Sequence, residues 1–478
     1  MKHLTTGGRY RSSFLPSKCL WVGCTASFLA TAPTLSFCSA TGSVELPALL
    51  DSDDIAYFFE RDDLDGLYWA LSSVFAASDR SKTDLVQQEK ERHYREIPQQ
   101  LTARGGGSTY TTACKLEMDI EQIEYLISTH SSTHSSTHSS NHSHDTSTGA
   151  NFPVNNVTTY LQHTVLPIYQ QVLARIPSLE KLERTHGLYA FRPVDYEAGI
   201  ANVYNKALYV PQDTDTDTRS GSDSSSSSEG PTTTLLNPEL DTRAIEQQWL
   251  GQGQRKRRGI DETAHPGIVV VDDILSPTAL TRIRQILLES TVWYQTKMPL
   301  KFGGYAGAYI DDGLHHRLLL QLSRELHKAL PNIMKGHALR YLWAYMYDQR
   351  YTGINLHADE AAVNVNIWLT PDSANLDPSS GGLVVFTAKP PADWNFNEYN
   401  TQTERVVDEL LRPNNFANVT IPHKQNRAVI FDSALFHHTD KYHFKPGFTN
   451  RRINLTLLYG NMQKGGNIAA VAGDKTEL

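Results

Sequence analysis

Near its end the chain alternates with a period of two: Ile453, Leu455, Leu457 and Tyr459 fall on one side, Arg452, Asn454 and Thr456 on the other. Alternation of this kind predicts an extended strand, because successive side chains of a strand leave opposite faces of the backbone. The apolar face needs a core. The opposite face, carrying a guanidinium, an amide and a hydroxyl, makes sense around a polar ligand. The run from Ala362 repeats the design, with Val363, Val365 and Ile367 alternating with Asn364, Asn366 and Trp368. Two such strands predict a lined cavity rather than a dry barrel.

Further strand-like runs occupy residues 268–271, 339–347, 383–386 and 428–431. Ser276-Pro277 offers an N-cap and a first-turn proline to a helix whose Leu280, Ile283 and Leu287 share a face. Strands in number, preceded by helices, place the chain in the α+β class: a double-stranded β-helix (jelly-roll) core with supporting helices, preceded by a mainly helical accessory region.

The chemistry concentrates at Leu356-His357-Ala358-Asp359-Glu360. Histidine and aspartate two apart on an extended segment point to the same side, so one imidazole and one carboxylate can reach a single ion. A third ligand from a distant strand would leave the other coordination positions open. Two histidines and one carboxylate are the usual protein solution for non-haem iron that must also take up substrate and oxygen. The four cysteines, at 19, 24, 38 and 114, leave the C-terminal half without thiolates, so a metal there must use imidazole and carboxylate. Arg452, on the polar parity, can grip a carboxylate bidentately, with Thr456 adding a hydrogen bond; Arg451 lies on the apolar parity. Tyr347 closes an aromatic stripe (Tyr341, Trp343, Tyr345) and is a further candidate for the same pocket, as is Asn454.

The order His357-x-Asp359, a distant histidine in Leu435-Phe436-His437-His438, then Arg452 at a strand start resembles the 2-oxoglutarate/Fe(II)-dependent oxygenases, prolyl-hydroxylase-like members included. The resemblance covers roughly residues 267–460 and extends to Leu369-Thr370-Pro371-Asp372, the Ser380-Gly381-Gly382-Leu383 turn and Asn450-Arg451-Arg452-Ile453-Asn454. It implies iron(II) held by His357, Asp359 and His437, with Arg452 on the distal carboxylate of 2-oxoglutarate. His437 follows Leu435-Phe436, where the family places its histidine; His438 stays as the competitor. The activity implied is hydroxylation of a C–H bond, of a protein side chain such as proline or of a small molecule. Dioxygen would be consumed, succinate and carbon dioxide released, and ascorbate would serve as reductant. Related halogenases lack the carboxylate, so Asp359 favours hydroxylation. The alternatives are a non-catalytic jelly-roll or helical binding protein, and a cupin-type enzyme, which typically adds a histidine ligand and does not need the arginine.

Composition shifts divide the chain into an expected targeting segment (1–40), a helical accessory region (41–211), a disordered linker (212–258) and a C-terminal domain (259–478), which the resemblance implies is the Fe(II)/2-oxoglutarate oxygenase domain. In the first, Lys2, Arg9, Arg11 and Lys18 precede an apolar stretch ending in Cys38-Ser39-Ala40, which suits signal-peptidase cleavage; a transit peptide is the alternative. The closing Lys475-Thr476-Glu477-Leu478 is one residue from an endoplasmic-reticulum retention signal, so the expected location is that lumen. Asn141, Asn156 and Asn418 begin glycosylation sequons, and Arg255-Lys256-Arg257-Arg258 reads as solvated charge, with a processing site or a nuclear signal as the alternatives. The accessory region has helical spacing at Ile120, Ile123 and Ile127 and at Leu161, Val165, Ile168 and Val172, and is a candidate surface for a protein partner. The His/Ser/Thr insert at 128–149 is expected to be disordered. A long segment at 389–424 interrupts the core strands beside the expected cavity. The formal net charge of −8 gives no electrostatic reason to expect a nucleic acid.

Overall fold

The computed structural model describes residues 50–80, 110–132, 154–211, 234–251, 265–391, 393–394 and 396–462. The targeting segment, Arg255-Lys256-Arg257-Arg258, the C-terminal tetrapeptide and most of the 128–149 insert lie outside the described residues.

Twelve strands are described: β1 (Tyr110–Thr111), β2 (Tyr189–Ala190), β3 (Ile268–Val271), β4 (Gln295–Thr296), β5 (Tyr305–Tyr309), β6 (Leu339–Tyr347), β7 (Val363–Trp368), β8 (Leu383–Phe386), β9 (Asn418–Ile421), β10 (Ala428–Asp432), β11 (His437–Thr439) and β12 (Ile453–Tyr459). Seven form one sheet in the order β3-β10-β7-β12-β6-β5-β4, and three form a second, β11-β8-β9; β1 and β2 pair apart. Every pairing is antiparallel.

The two parities of β12 now have partners. Ile453, Leu455, Leu457 and Tyr459 join Val363, Val365 and Ile367 of β7 and Ala344 and Met346 of β6 in one apolar layer. Helices cover that layer. Ser52–Glu60 brings Ile55 and Phe59, Leu64–Arg80 brings Leu67 and Leu71, Pro277–Glu289 brings Ile283 and Leu287, and Arg317–Ala329 brings Leu319 and Leu326. Leu455 and Leu457 are wholly buried, and each such side chain contributes roughly 2–3 kcal/mol of transfer free energy. On the opposite face, Trp368, Val429, Phe431 and Ile268 meet Leu383, Val385 and Ile421 of the smaller sheet. The sheets therefore face each other, and the polar residues of β7 and β12 lie between them.

Local chemistry explains the helix starts. Ser276 caps Pro277–Glu289 by accepting from the Ala279 amide, and Asp51 forms a capping box with Asp54 at Ser52–Glu60. Two sequence expectations need correction. The span 212–258 is not wholly an unstructured linker: Leu235, Leu236, Ile245 and Trp249 are buried, and Asp241 caps a helix at Thr242–Trp249. Ile245 and Trp249 are four apart on one helix face, and that face packs on β3. Nor does the sheet's core begin at residue 259, because Ile55, Phe59, Leu67 and Met118 belong to the same apolar cluster as β7 and β12. The helices Ser52–Glu60 and Leu64–Arg80 thus belong to the sheet's core, whereas Leu116, Ile123, Leu126, Leu161, Val165 and Tyr169 bury one another in a cluster of their own.

The 389–424 segment carries the connection from β8 to β9, includes β9 itself, and contains helices Phe396–Thr401 and Thr403–Arg405 and a π-helical turn, Val406–Leu411. Val406, Leu410 and Leu411 are buried against Ala358, Val384, Phe386 and Phe436.

Candidate metal centre

His357 and His437 face each other across an antiparallel bridge, each donating its backbone N–H to the other's carbonyl, at 3.0 and 2.8 Å. That exchange brings their rings to 4.2 Å between centroids. Asp359 sits between them, with Oδ1 3.6 Å from His357 Nε2 and Oδ2 3.5 Å from His437 Nε2. One ligand atom from each of the three lies within 4.8 Å of the others. Both rings are oriented from behind. His357 Nδ1 lies 2.8 Å from the Asn355 carbonyl, and His437 Nδ1 lies 3.0 Å from that of Leu435. A carbonyl can only accept, so each Nδ1 carries the proton and each Nε2 keeps its lone pair free.

Burial, and after it the charge of His437, pushes the His357 imidazole down to about 4. Burial pushes the Asp359 carboxyl up, but its neighbours His437, His357 and Asn364 outweigh it and hold the group below the usual carboxylate range. At neutral pH His357 is therefore a neutral imidazole beside an ionised carboxylate, the ionisation states that bind a divalent cation. His438 takes no part: its Nδ1 bonds the Thr439 carbonyl at 2.8 Å, and its ring packs toward Phe386.

A chain of amides runs from the carboxylate across the sheet. Asn364 Nδ2 donates to Asp359 Oδ2 at 2.6 Å, Asn366 Nδ2 to Asn364 Oδ1 at 2.6 Å, and Asn366 Oδ1 accepts from Asn454 at 3.0 Å and Thr456 at 2.9 Å. Asn454 also donates to the Thr456 hydroxyl at 3.0 Å. The Thr456 hydroxyl hydrogen is thus committed to Asn366, and Thr456 and Asn454 brace the wall of the site. Asn454, which also begins a glycosylation sequon (Asn454-Leu455-Thr456), is buried in this network.

Arg452 is 2% exposed. Its Nε and Nη2 donate to the carbonyls of Gly381 and Gly382 at 2.7 and 3.0 Å, and its Cζ lies 4.4 Å from the Tyr347 ring centroid. Gly382 has no room for a side chain, because a Cβ there would fall 1.9 Å from the Ile421 carbonyl oxygen. Nη1 is buried without a hydrogen-bond partner. An unpartnered guanidinium edge in a buried wall fits a carboxylate of a bound molecule. Arg451 turns the other way, to Glu121 of the Ala113–Ser132 helix, with Nε and Nη2 at 2.7 and 3.1 Å from its two oxygens. Between that helix and the start of β12 lies a cavity of about 220 Å³, lined by Glu117, Glu121, Tyr347, Asp348, Tyr442 and Arg452 among others.

The aromatic stripe of β6 lies on the inner side. Tyr305, Trp343, Tyr345, Tyr347 and Leu458 form one cluster, and Tyr309 and Tyr345 share a hydroxyl contact of 2.8 Å. Ala361, two residues past Asp359, belongs to the same cluster.

Two residues have no counterpart in the sequence reading. Asn400 hydrogen-bonds the backbone between the candidate ligands. His423 is a buried imidazole with neither nitrogen partnered, stacked on Trp368 and edge-on to Phe444. Each sits in a polar stretch with no periodicity to mark it.

No family model matches the sequence, and a search of curated proteins finds no match. Solved structures similar to this chain include 2-oxoglutarate/Fe(II) oxygenases and prolyl hydroxylases. One is a prolyl hydroxylase from Trichoplax adhaerens in complex with a hypoxia inducible factor oxygen degradation domain peptide fragment (16% identity, 41% of this chain and 84% of that one, TM-score 0.27). Another is HygX from Streptomyces hygroscopicus with nickel and 2-oxoglutarate bound (14%, 41% and 83%, TM-score 0.29). A third is an oxidoreductase of the 2OG-Fe(II) oxygenase family from Burkholderia pseudomallei (12%, 49% and 96%, TM-score 0.28).

Proposed function

We propose that this chain is an iron(II)- and 2-oxoglutarate-dependent oxygenase whose two facing sheets form a double-stranded β-helix, and that it hydroxylates a C–H bond of a protein side chain such as proline. The observation that carries the reading is the convergence of two imidazoles, each with Nε2 freed by a backbone acceptor behind it, on one buried carboxylate. His357, Asp359 and His437 would hold the iron, and the unpartnered Nη1 of Arg452 would take the distal carboxylate of 2-oxoglutarate.

Bound iron(II) and 2-oxoglutarate supply the oxidising chemistry, consuming dioxygen and releasing succinate and carbon dioxide. The chain supplies placement. Asn364 holds Asp359 Oδ2, so the carboxylate keeps one orientation, and Asn366, Asn454 and Thr456 fix Asn364 in turn. Gly381 and Gly382 set the guanidinium's direction through their carbonyls. Asp359 and His437 each keep only 4% of the side chain exposed and His357 keeps 24%, so the centre opens toward solvent on the His357 side. The aromatic faces of Tyr305, Trp343, Tyr345 and Tyr347, clustered with Ala361 two residues past Asp359, support a C–H-rich, ring-shaped substrate group such as a prolyl side chain; a small molecule with the same feature would meet the same wall.

The test is succinate formation from 2-oxoglutarate by the purified full chain with iron(II), ascorbate and dioxygen. Iron-dependent succinate is expected from the wild type and none from His357→Ala. A wild-type chain that neither turns over 2-oxoglutarate nor binds it would overturn the reading. Peptides and small molecules are then compared as stimulants of turnover, with mass spectrometry locating the added oxygen.

A further inference from the structure

The His357-Ala358-Asp359 segment is extended, so its backbone groups alternate in direction. Those of His357 are used by His437, and the Asp359 N–H donates to the Ser433 carbonyl at 3.1 Å. Ala358 faces the other way. Its N–H donates to Asn400 Oδ1 at 2.9 Å, and its carbonyl accepts from Asn400 Nδ2 at 2.9 Å. One side-chain amide thus imitates a neighbouring strand and clamps the single residue between two candidate ligands. Few side chains can do this. Aspartate lacks the donor and would set its charge against the Ala358 carbonyl, and alanine leaves both backbone groups unsatisfied. Asn400 belongs to the 389–424 segment, forty-two residues away in sequence. The same segment buries Val406, Leu410 and Leu411 against Ala358 and Phe436, the neighbours of His357 and His437.

We propose that Asn400 is a positioning residue that couples the 389–424 segment to the metal ligands, so that metal loading and docking of this segment form one linked equilibrium. The proposal rests on the metal-centre reading above. Linkage is reciprocal: a clamp that favours the ligand geometry must itself be favoured by the bound metal. Loss of a partner that orients a ligand typically weakens metal affinity by about 10–100-fold.

Cobalt(II) alone is the probe, read by its absorption bands in the full chain. Asn400→Ala and Asn400→Asp are each expected to weaken cobalt affinity at least about tenfold. Arg412→Gln removes an exposed pair with Asp408 in the same segment and is expected to leave the affinity unchanged. Hydrogen exchange supplies the second readout, one that a loss of general stability does not reproduce. Cobalt should slow exchange across 396–411 in the wild type and not in Asn400→Ala. Cobalt affinity equal to wild type in Asn400→Ala, or cobalt-induced protection that survives the substitution, overturns this proposal alone. A wild-type chain that binds no cobalt overturns the metal-centre reading and this proposal with it.

Discussion

Replacing His423 with phenylalanine should make the protein more acid-resistant, by an amount the structure sets. The His423 side chain is wholly buried, lies against Trp368 with ring centroids 5.7 Å apart and 26° between planes, and meets Phe444 edge-on at 5.0 Å. Neither ring nitrogen has a hydrogen-bond partner; Asp372 Oδ1, at 3.9 Å from Nδ1, is beyond reach. Burial first, then the charges of Arg452 and Arg427, push the imidazole from the ordinary 6.5 down to about 3. Between those values the unfolded chain binds a proton that the folded chain refuses. Stability from this group is therefore complete above pH 6.5 and is lost as pH falls toward 3. At pH 5, one and a half units below the unfolded value, the loss is about 2 kcal/mol.

His423→Phe keeps an aromatic ring between Trp368 and Phe444 and removes two unsatisfied polar atoms and the titration together. Its stability at pH 7.5 depends on how the slightly larger ring packs, but the difference between pH 7.5 and pH 5 cancels packing and every titration the two proteins share. Urea unfolding of the full chain in chelator, at both pH values, should show the wild type losing about 2 kcal/mol more than His423→Phe. Parallel losses, within about 0.5 kcal/mol, would show that the imidazole either titrates normally or is partnered in solution, and the reasoning would fail.

Arg452→Met should weaken 2-oxoglutarate binding to the cobalt-loaded protein by about 10- to 100-fold in calorimetric titrations, the worth of a hydrogen bond to a charged group, while cobalt binding itself changes little. Glu121→Gln breaks the two-pronged grip on Arg451 (2.7 and 3.1 Å) and should cost about 1 kcal/mol of stability, a difference that shrinks in high salt; a cost that does not respond to salt would point to packing instead.

Strand parity was the most legible property of this sequence, because it depends on neighbouring residues alone. The strands at 268–271, 339–347, 383–386 and 453–459 stand where alternation and apolar runs place them. β5 escaped, since Tyr305-Ala306-Gly307-Ala308-Tyr309 is built of small residues between tyrosines and has no apolar run to mark it. β11 escaped because its three residues are a strand only by pairing with β8. The helix at Thr242–Trp249 was hidden by the Asp/Thr/Ser repeat before it, and its Ile245 and Trp249 acquire meaning only from β3 alongside.

The site divides on the same line. His357 and Asp359 could be paired from spacing, and Arg452 separated from Arg451 by parity, since each inference needs only the direction a side chain takes. Parity assigns a face but not a partner. Thr456 and Asn454 do point inward, yet what they meet is set by a register that opposes Thr456 to Asn366 across β7, and the amide reaches them first. Asn400 and His423 are the limiting case. Each owes its environment to the chain's return, to Ala358 in one case and to Trp368 in the other. Residues that hold a ligand can thus be found from local spacing, whereas residues that hold the holder are found only where distant segments close on them.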